Sequence, residues 1–260
     1  MANTSRRERL RAAQEAAQKR RRARIIIAIG VGVGALIAIA VMVWSSLGAT
    51  GGPGAGATTG AGATRPPNAT AENDGIVTNP GLGKAGVPVV GLYFDYQCPH
   101  CITFEEKYGL TLNNLAKTGD ISLINHTKVF LDKGDANGLS HKAAIAAACA
   151  DNAGAYSAYH NAIFAGQPTN EGTGYTTQQL RVDFAGTAGI TGDKLTGFQQ
   201  CYDSRTTQSF VEGTNEKAAA DGVNSTPTIM VNGTKLDNNT IFTQGADAFR
   251  QTVLTTKGNG

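Results

Sequence analysis

The pattern that most constrains this chain is Tyr96-Gln97-Cys98-Pro99-His100-Cys101. An apolar run, Val87 to Phe94, leads into the first cysteine, and a helix-like stretch, Cys101 to Lys117, leads away from the second. Strand, tight turn and helix start must therefore follow one another within a few residues. At a helix start the backbone N–H groups have no partner inside the helix, and the dipole presents its positive end. A sulfur placed there is favoured as the thiolate. The pattern points to thiol–disulfide exchange, with a zinc site or an inert structural bridge as the alternatives.

A disulfide catalyst needs a compartment that tolerates disulfides, and the N-terminal charge pattern bears on that. Residues 1 to 24 hold nine Lys or Arg against Glu8 and Glu15, a charge of +7; the 260-residue chain is +3 overall, so the remainder carries −4. Ile25 to Leu47 then runs without a charge. At about 1.5 Å per residue it reaches roughly 35 Å, enough to cross a hydrocarbon core of about 30 Å. The basic residues crowd one side, which places residues 1–24 in the cytoplasm as a short tail and everything after Leu47 outside, with Trp44 at the outer interface. A single-pass signal-anchor is expected over a cleaved signal peptide ending near Ser46-Leu47-Gly48, because the apolar run exceeds a signal core of about 7 to 15 residues. The same position against a span assigns the basic tail to topology and not to nucleic acid.

From Gly48 to about Asp74 the composition turns to Gly, Ala, Thr and Pro, too poor in large apolar residues to bury a core. A flexible linker is expected over 48–74, with a root-mean-square reach of roughly 30 Å. Residues 75–260 then form one domain. Strands are expected at Val87 to Phe94 and Ile121 to Phe130, and a hairpin at Thr228 to Val231 and Thr234 to Leu236, since Asn232-Gly233 tolerates the positive φ angles of a two-residue turn. Apolar spacing of three and four predicts helices around Phe104 to Leu115, Tyr156 to Ile163, Leu195 to Tyr202 and Ala246 to Val253. Ser140 to Asn152 and Gln208 to Asp221 read as helices by propensity. The class is α/β, in the order strand, CxxC helix, strand, helical block, hairpin, helix.

Two runs, Val89 to Cys101 and Gly222 to Gly233 with Thr226-Pro227, resemble the signature regions of DsbA-like thiol:disulfide oxidoreductases of a membrane-anchored bacterial type. The resemblance spans about residues 76 to 256. It implies a thioredoxin fold with an inserted α-helical domain at about 131–222, and Pro227 in the cis form beside the cysteines. Thr226 would offer its backbone to an extended substrate, as in strand addition. It further implies that Cys98 is the exposed attacking sulfur and Cys101 its buried partner. His100 would add positive charge or a hydrogen bond to the Cys98 thiolate, and Pro99 would fix the turn. The implied partners are reduced secreted protein substrates and a quinone-linked membrane protein that reoxidises the dithiol; no cofactor or metal is implied.

The chain departs at one point from the pattern of the family it resembles. Thioredoxin-like proteins often carry a buried acid six positions before the first cysteine, and here that position is Leu92. Asp95 is the nearest carboxylate, either a proton-transfer group or a structural residue. Cys149 and Cys201 both fall in the helical block, where an even pair in an oxidising compartment is expected to be bridged. His126, His141 and His160 are spread over a strand and two helices and make no recognisable zinc set with Cys98, His100 and Cys101. The functional expectation is an oxidase that forms disulfides in secreted or cell-envelope proteins. A reductase or isomerase on the same scaffold, or a tethered binding module with a vestigial CxxC, are the alternatives.

Overall fold

The computed structural model describes residues 63–168 and 170–258. The basic tail at 1–24, the expected span at 25–47 and residues 48–62 of the expected linker lie outside the described residues. Among the described residues no helix is long and apolar enough to cross a membrane.

The sheet built by the described residues contains β1 (Ile76–Val77), β2 (Val89–Phe94), β3 (Ser122–Thr127), β4 (Thr228–Val231) and β5 (Thr234–Lys235), in the order β1-β3-β2-β4-β5. The central β2 runs parallel to β3, from Val89 opposite Ser122 to Phe94 opposite Thr127, and antiparallel to β4. Both faces of β2 are covered, which is why it reads as a continuous apolar run instead of an alternating one. Val90, Leu92 and Phe94 enter the main core, while Tyr93 on the opposite face meets Ala218 and Val223 and stacks on His126 at 4.2 Å. The β4–β5 hairpin turns through Asn232 and Gly233 at φ +51° and +78°, the two positive angles that a two-residue loop of this kind demands.

The parallel pair β2 and β3 is joined by α1 (Pro99–Phe104), a π-helical turn at Glu105–Gly109, and α2 (Leu110–Lys117). A continuous helix was the expectation from spacing. The wider turn has identifiable partners: Tyr108 donates its hydroxyl to the Ile241 and Gln244 carbonyls at 2.5 and 2.9 Å, and Glu105 meets His160 at 3.3 Å. β3 is shorter than the expected 121–130. After Lys128 the Val129 amide turns to Asn215 Oδ1 and the Leu131 amide to Asp95 Oδ2, and Phe130–Asp132 forms one turn of 3-10 helix.

The helical block comprises α3 (Leu139–Asn152), α4 (Tyr156–Ala165), a π turn at Gln179–Asp183, α5 (Phe184–Thr187), α6 (Gly192–Asp203) and α7 (Gln208–Ala220). α3 is almost wholly buried, its alanines allowing α4, α6 and α7 to pack closely around it. Two helices, α8 (Asn238–Thr243) and α9 (Ala246–Thr255), follow the hairpin, and α9 packs on α2. The α/β element order is the expected one.

Residues 64–74, expected to belong to the flexible linker, are instead held against the domain. The Asn68 amide and side chain donate to the buried Asp151 carboxylate at 2.8 and 2.7 Å, Arg65 reaches Asn73 and the Ala69 and Thr70 carbonyls, and Thr64 N–H donates to the Thr206 carbonyl. The segment has few apolar side chains to bury, so composition alone hid it. Polar contacts to a fixed carboxylate do the holding.

Cys149 on α3 and Cys201 on α6 are joined by a disulfide across 52 residues of chain. Closing a loop of that length removes roughly 4 kcal/mol of conformational freedom from the unfolded chain. The doubly substituted Cys149→Ala, Cys201→Ala protein is expected to unfold at a lower urea midpoint by that order of stability; an unchanged midpoint would show that the bridge does not hold the block together.

Candidate active site

The first cysteine sits where β2 ends and α1 begins. Cys98 is the N-cap residue, in extended backbone at φ −76°, ψ 120°, and Pro99 occupies the first helical position, where its missing N–H costs nothing and its fixed φ suits the helix. The Cys98 amide donates to the Asp95 carbonyl at 3.0 Å, and the Cys98 carbonyl accepts from Cys101 and Ile102 at 3.0 and 3.3 Å. This turn brings the two sulfurs together as unbonded thiols. Facing them, the Thr226–Pro227 peptide bond is cis, and the Thr226 carbonyl lies 3.5 Å from Cys98 Sγ. All the residues that the motifs singled out, Cys98, Pro99, His100, Cys101, Thr226 and Pro227, thus fall at one end of the sheet.

The environments of the sulfurs differ sharply. Cys98 is pulled down from 9.0 to about 6: the Cys101 thiol donates to it, burial opposes, and the Thr226 hydroxyl and the Cys101 and His100 backbone N–H groups add further stabilisation. Cys101 goes the other way, pushed well above its ordinary value by burial and by the proton it shares with Cys98. Two expectations need correcting. Cys98 is only 6% exposed, against 1% for Cys101, so the reacting sulfur is recessed and not exposed. His100 stabilises the thiolate through its backbone N–H, while its imidazole is exposed and makes no hydrogen bond among the described residues. The cause is the helix start, which aims N–H groups at Cys98 while side chains fan outward.

Leu92 contributes no acid, being buried in the apolar core. Asp95 is fully buried beside the turn. Its Oδ1 accepts from the Gln97 amide at 2.9 Å and from the Ser140 hydroxyl at 2.7 Å, and its Oδ2 accepts from the Leu131 amide at 3.3 Å. Burial nevertheless pushes its carboxyl up from 3.8 to about 7. Sequence reasoning missed the rest of this cluster. Asp132 binds the Ser140 and His141 amides at 3.0 and 2.7 Å and His141 Nδ1 at 2.8 Å, so it satisfies the open start of α3 from six residues ahead of the N-cap residue Gly138. A side chain at Gly138 would collide with it, since an added Cβ would lie 2.1 Å from Asp132 Cγ. Gln97 Nε2 donates to both Ser140 Oγ and Asp132 Oδ1, at 2.7 and 3.2 Å. No local cap signal marks this helix start, because the capping carboxylate comes from outside the usual window.

Thr226 Oγ1 is buried with no formed hydrogen bond, and it favours the thiolate on both cysteines. A groove of about 320 Å³ between α1, α2 and α4, lined in part by Ile102, Glu106, Leu110 and Phe164, includes neither sulfur. The site is a recessed sulfur beside a backbone edge, a shape suited to an extended chain. Among the described residues no group of His, Cys, Asp and Glu is placed to hold a metal ion.

Residues 77–246 match a family model described as Thioredoxin. Among solved structures, the thiol-disulfide oxidoreductase MdbA from Actinomyces oris is 25% identical, with a TM-score of 0.59 over 71% of this chain and 89% of that one. DsbA from Mycobacterium tuberculosis in its reduced form is 28% identical, with a TM-score of 0.52 over 63% of this chain and 85% of that one. MdbA from Corynebacterium diphtheriae shares the fold at 21% identity, with a TM-score of 0.58 over 70% and 90%. No curated protein matches the chain.

Because the folded state holds the Cys98 proton less tightly than a free thiol does, the reduced protein gains stability from this residue as pH rises. That contribution is complete above about 9 and is lost as pH falls through about 6. The stability difference between the reduced protein and its Cys98→Ser variant, measured by urea unfolding, should therefore widen between these limits. A difference independent of pH would contradict the depressed thiol.

Proposed function

The chain belongs to the thioredoxin family and is a DsbA-like thiol-disulfide oxidoreductase, and from that premise we propose that it works as an oxidase, forming disulfides in secreted or cell-envelope proteins. The asymmetry of the two sulfurs carries this proposal. With Cys98 at about 6, roughly nine-tenths of it is thiolate at neutral pH, while Cys101 holds its proton. A reduced form stabilised in this way makes the corresponding disulfide a strong oxidant.

In the forward reaction a substrate thiolate attacks Cys98 in the Cys98–Cys101 disulfide. The S–S bond breaks, its electron pair goes to Cys101, and a mixed disulfide forms between substrate and Cys98. A second substrate thiolate then attacks the substrate sulfur of that bond and expels Cys98 as a thiolate. The substrate has lost two electrons and two protons; Cys101 keeps one proton and solvent takes the other. The Thr226 backbone, beside Pro227 and next to Cys98, is the proposed docking edge for the extended substrate. The dithiol is reoxidised by a quinone-linked membrane protein. The unbroken apolar run Ile25 to Leu47 supports a cytoplasmic N-terminus and a catalytic domain held outside a bacterial cell membrane.

The reduction potential of the Cys98–Cys101 pair, equilibrated against glutathione buffers, tests the direction. A value near about −120 mV is expected, the oxidising end of the range for such proteins. A value near about −270 mV would overturn the oxidase in favour of a reductase, and no redox transition would leave a binding module. In parallel, the lone Cys98 thiolate of Cys101→Ala should attack disulfide-bonded secreted proteins, expel one of their sulfurs as a thiolate and accumulate as a mixed disulfide that no second enzyme cysteine resolves, and Cys98→Ala should accumulate none.

A further inference from the structure

Asp95 touches the redox turn at three residues, Gln97, Cys98 and Cys101. Its carbonyl receives the Cys98 amide, its own N–H favours the thiolate of Cys101, and its carboxylate receives the amide of Gln97. The same carboxylate oxygen that holds Gln97 also receives the Ser140 hydroxyl, at the first turn of α3. The charged and titratable groups around it come from every neighbouring element. Lys128 lies just after β3, Asp132 in the 3-10 turn, Tyr175 ahead of the second π turn, and the two cysteines at the cap and in the first turn of α1. None neutralises it. Lys128 is buried and donates its ammonium to the Val223 carbonyl at 2.9 Å, and Asp132 is occupied by the start of α3 and by His141.

We propose that Asp95 is a positioning residue for disulfide exchange: its ionised carboxylate clamps the Gln97 amide and the Ser140 hydroxyl, holding the Cys98 turn on the helical block, and the clamp loosens when the carboxylate takes a proton. This deepens the oxidoreductase reading and rests on Cys98 being the exchanging sulfur.

Two further observations support a clamp with two settings. Burial, reinforced by the nearby charge of Asp132, raises the Asp95 carboxyl to about 7 against the pull of its three hydrogen bonds, so the group changes state near neutrality. The cluster also contains an idle acceptor. Gln97 Oε1 is buried without a hydrogen-bond partner, on the amide whose nitrogen already touches Ser140 Oγ. When Asp95 is ionised, Ser140 gives its only proton to Asp95 and receives one from Gln97. When Asp95 is protonated, the oxygen bearing the proton no longer accepts as strongly. The Ser140 hydroxyl is then free to rotate toward the idle Gln97 oxygen. The turn ahead of Cys98 is bound tightly in the first setting and loosely in the second.

The test is the rate of iodoacetamide alkylation at Cys98 in the reduced full-length protein, followed by mass spectrometry over pH. The wild-type rate should rise in two steps, the first near 6 from Cys98 and the second near 7 from Asp95, since an ionised neighbour makes the thiolate more basic and more nucleophilic. Asp95→Asn keeps an oxygen for the Gln97 amide but carries no charge, and should leave a single step. Ser140→Ala removes a donor to the carboxylate and should move the upper step up by about one pH unit. A merely structural role would not produce that displacement. Persistence of the upper step in Asp95→Asn overturns the clamp. If Asp95→Asn does not fold, Ser140→Ala decides alone: an upper step left in place overturns it. The glutathione equilibrium separates the two readings. Exchange with an unaltered Asp95→Asn profile leaves the oxidoreductase and removes the clamp, whereas two-step alkylation without exchange leaves the clamp geometry and removes its redox role.

Discussion

A carboxylate buried without a direct ion pair is a costly thing to keep in a protein interior, and among the described residues this fold is arranged around one. Asp95 follows directly on β2, and its three hydrogen bonds reach the redox turn, the 3-10 turn after β3 and the first turn of α3. These segments come from both halves of the fold, the sheet and the inserted helices. Asp132 extends the link by satisfying the start of α3, and α3 in turn is tied to α6 through Cys149 and Cys201. The helical block is therefore joined to the reacting sulfur by a short polar chain as well as by apolar packing. Each donor in that chain needs its acceptor, because an unmatched polar group there would be shielded from water.

The sulfur chemistry follows from position along a helix start. Cys98 lies where N–H groups converge, and Cys101, one turn on, lies where the core closes over it. Two identical side chains acquire opposite proton affinities because one faces donors and the other faces hydrocarbon. The absence of an acid at Leu92 does not disturb this division, since neither sulfur depends on that position for its hydrogen bonds. Thr226 completes the site from the far side of the sheet, bringing a carbonyl and a hydroxyl to a pair of atoms more than a hundred residues earlier in the chain.

Local chemistry determined what was legible in the sequence. The strand before Cys98, Pro99 at the first helical position and the Asn232-Gly233 turn are each dictated by neighbouring residues, so their patterns were readable. The pairing of Cys149 with Cys201 was readable from number and setting. What was hidden depends on contacts between distant segments. Asp132 caps a helix from outside the usual window, Glu105 and Tyr108 widen a helical turn toward partners on α4 and beside α8, and Asn68 fastens an approach segment poor in large apolar residues to Asp151. β1 is only two residues long and pairs only because Ile124 and Asn125 lie opposite. The recessed setting of Cys98 was hidden for the same reason, since Thr226 and Pro227 cover it from the other end of the chain.

The disulfide between α3 and α6 also bears on how the protein coexists with its own reactivity. A catalyst that exchanges sulfur bonds is itself a potential substrate, and any second disulfide it carries is at risk from every thiolate it meets. Cys149 is fully buried and Cys201 is 8% exposed, among tightly packed helices. Attack on a disulfide is faster the more readily the departing sulfur leaves as a thiolate. Both pairs are recessed to a similar degree, Cys98 and Cys101 being 6% and 1% exposed, so burial does not set them apart; Cys98 sits where donors converge on its thiolate, and that makes it the ready leaving group of the labile pair.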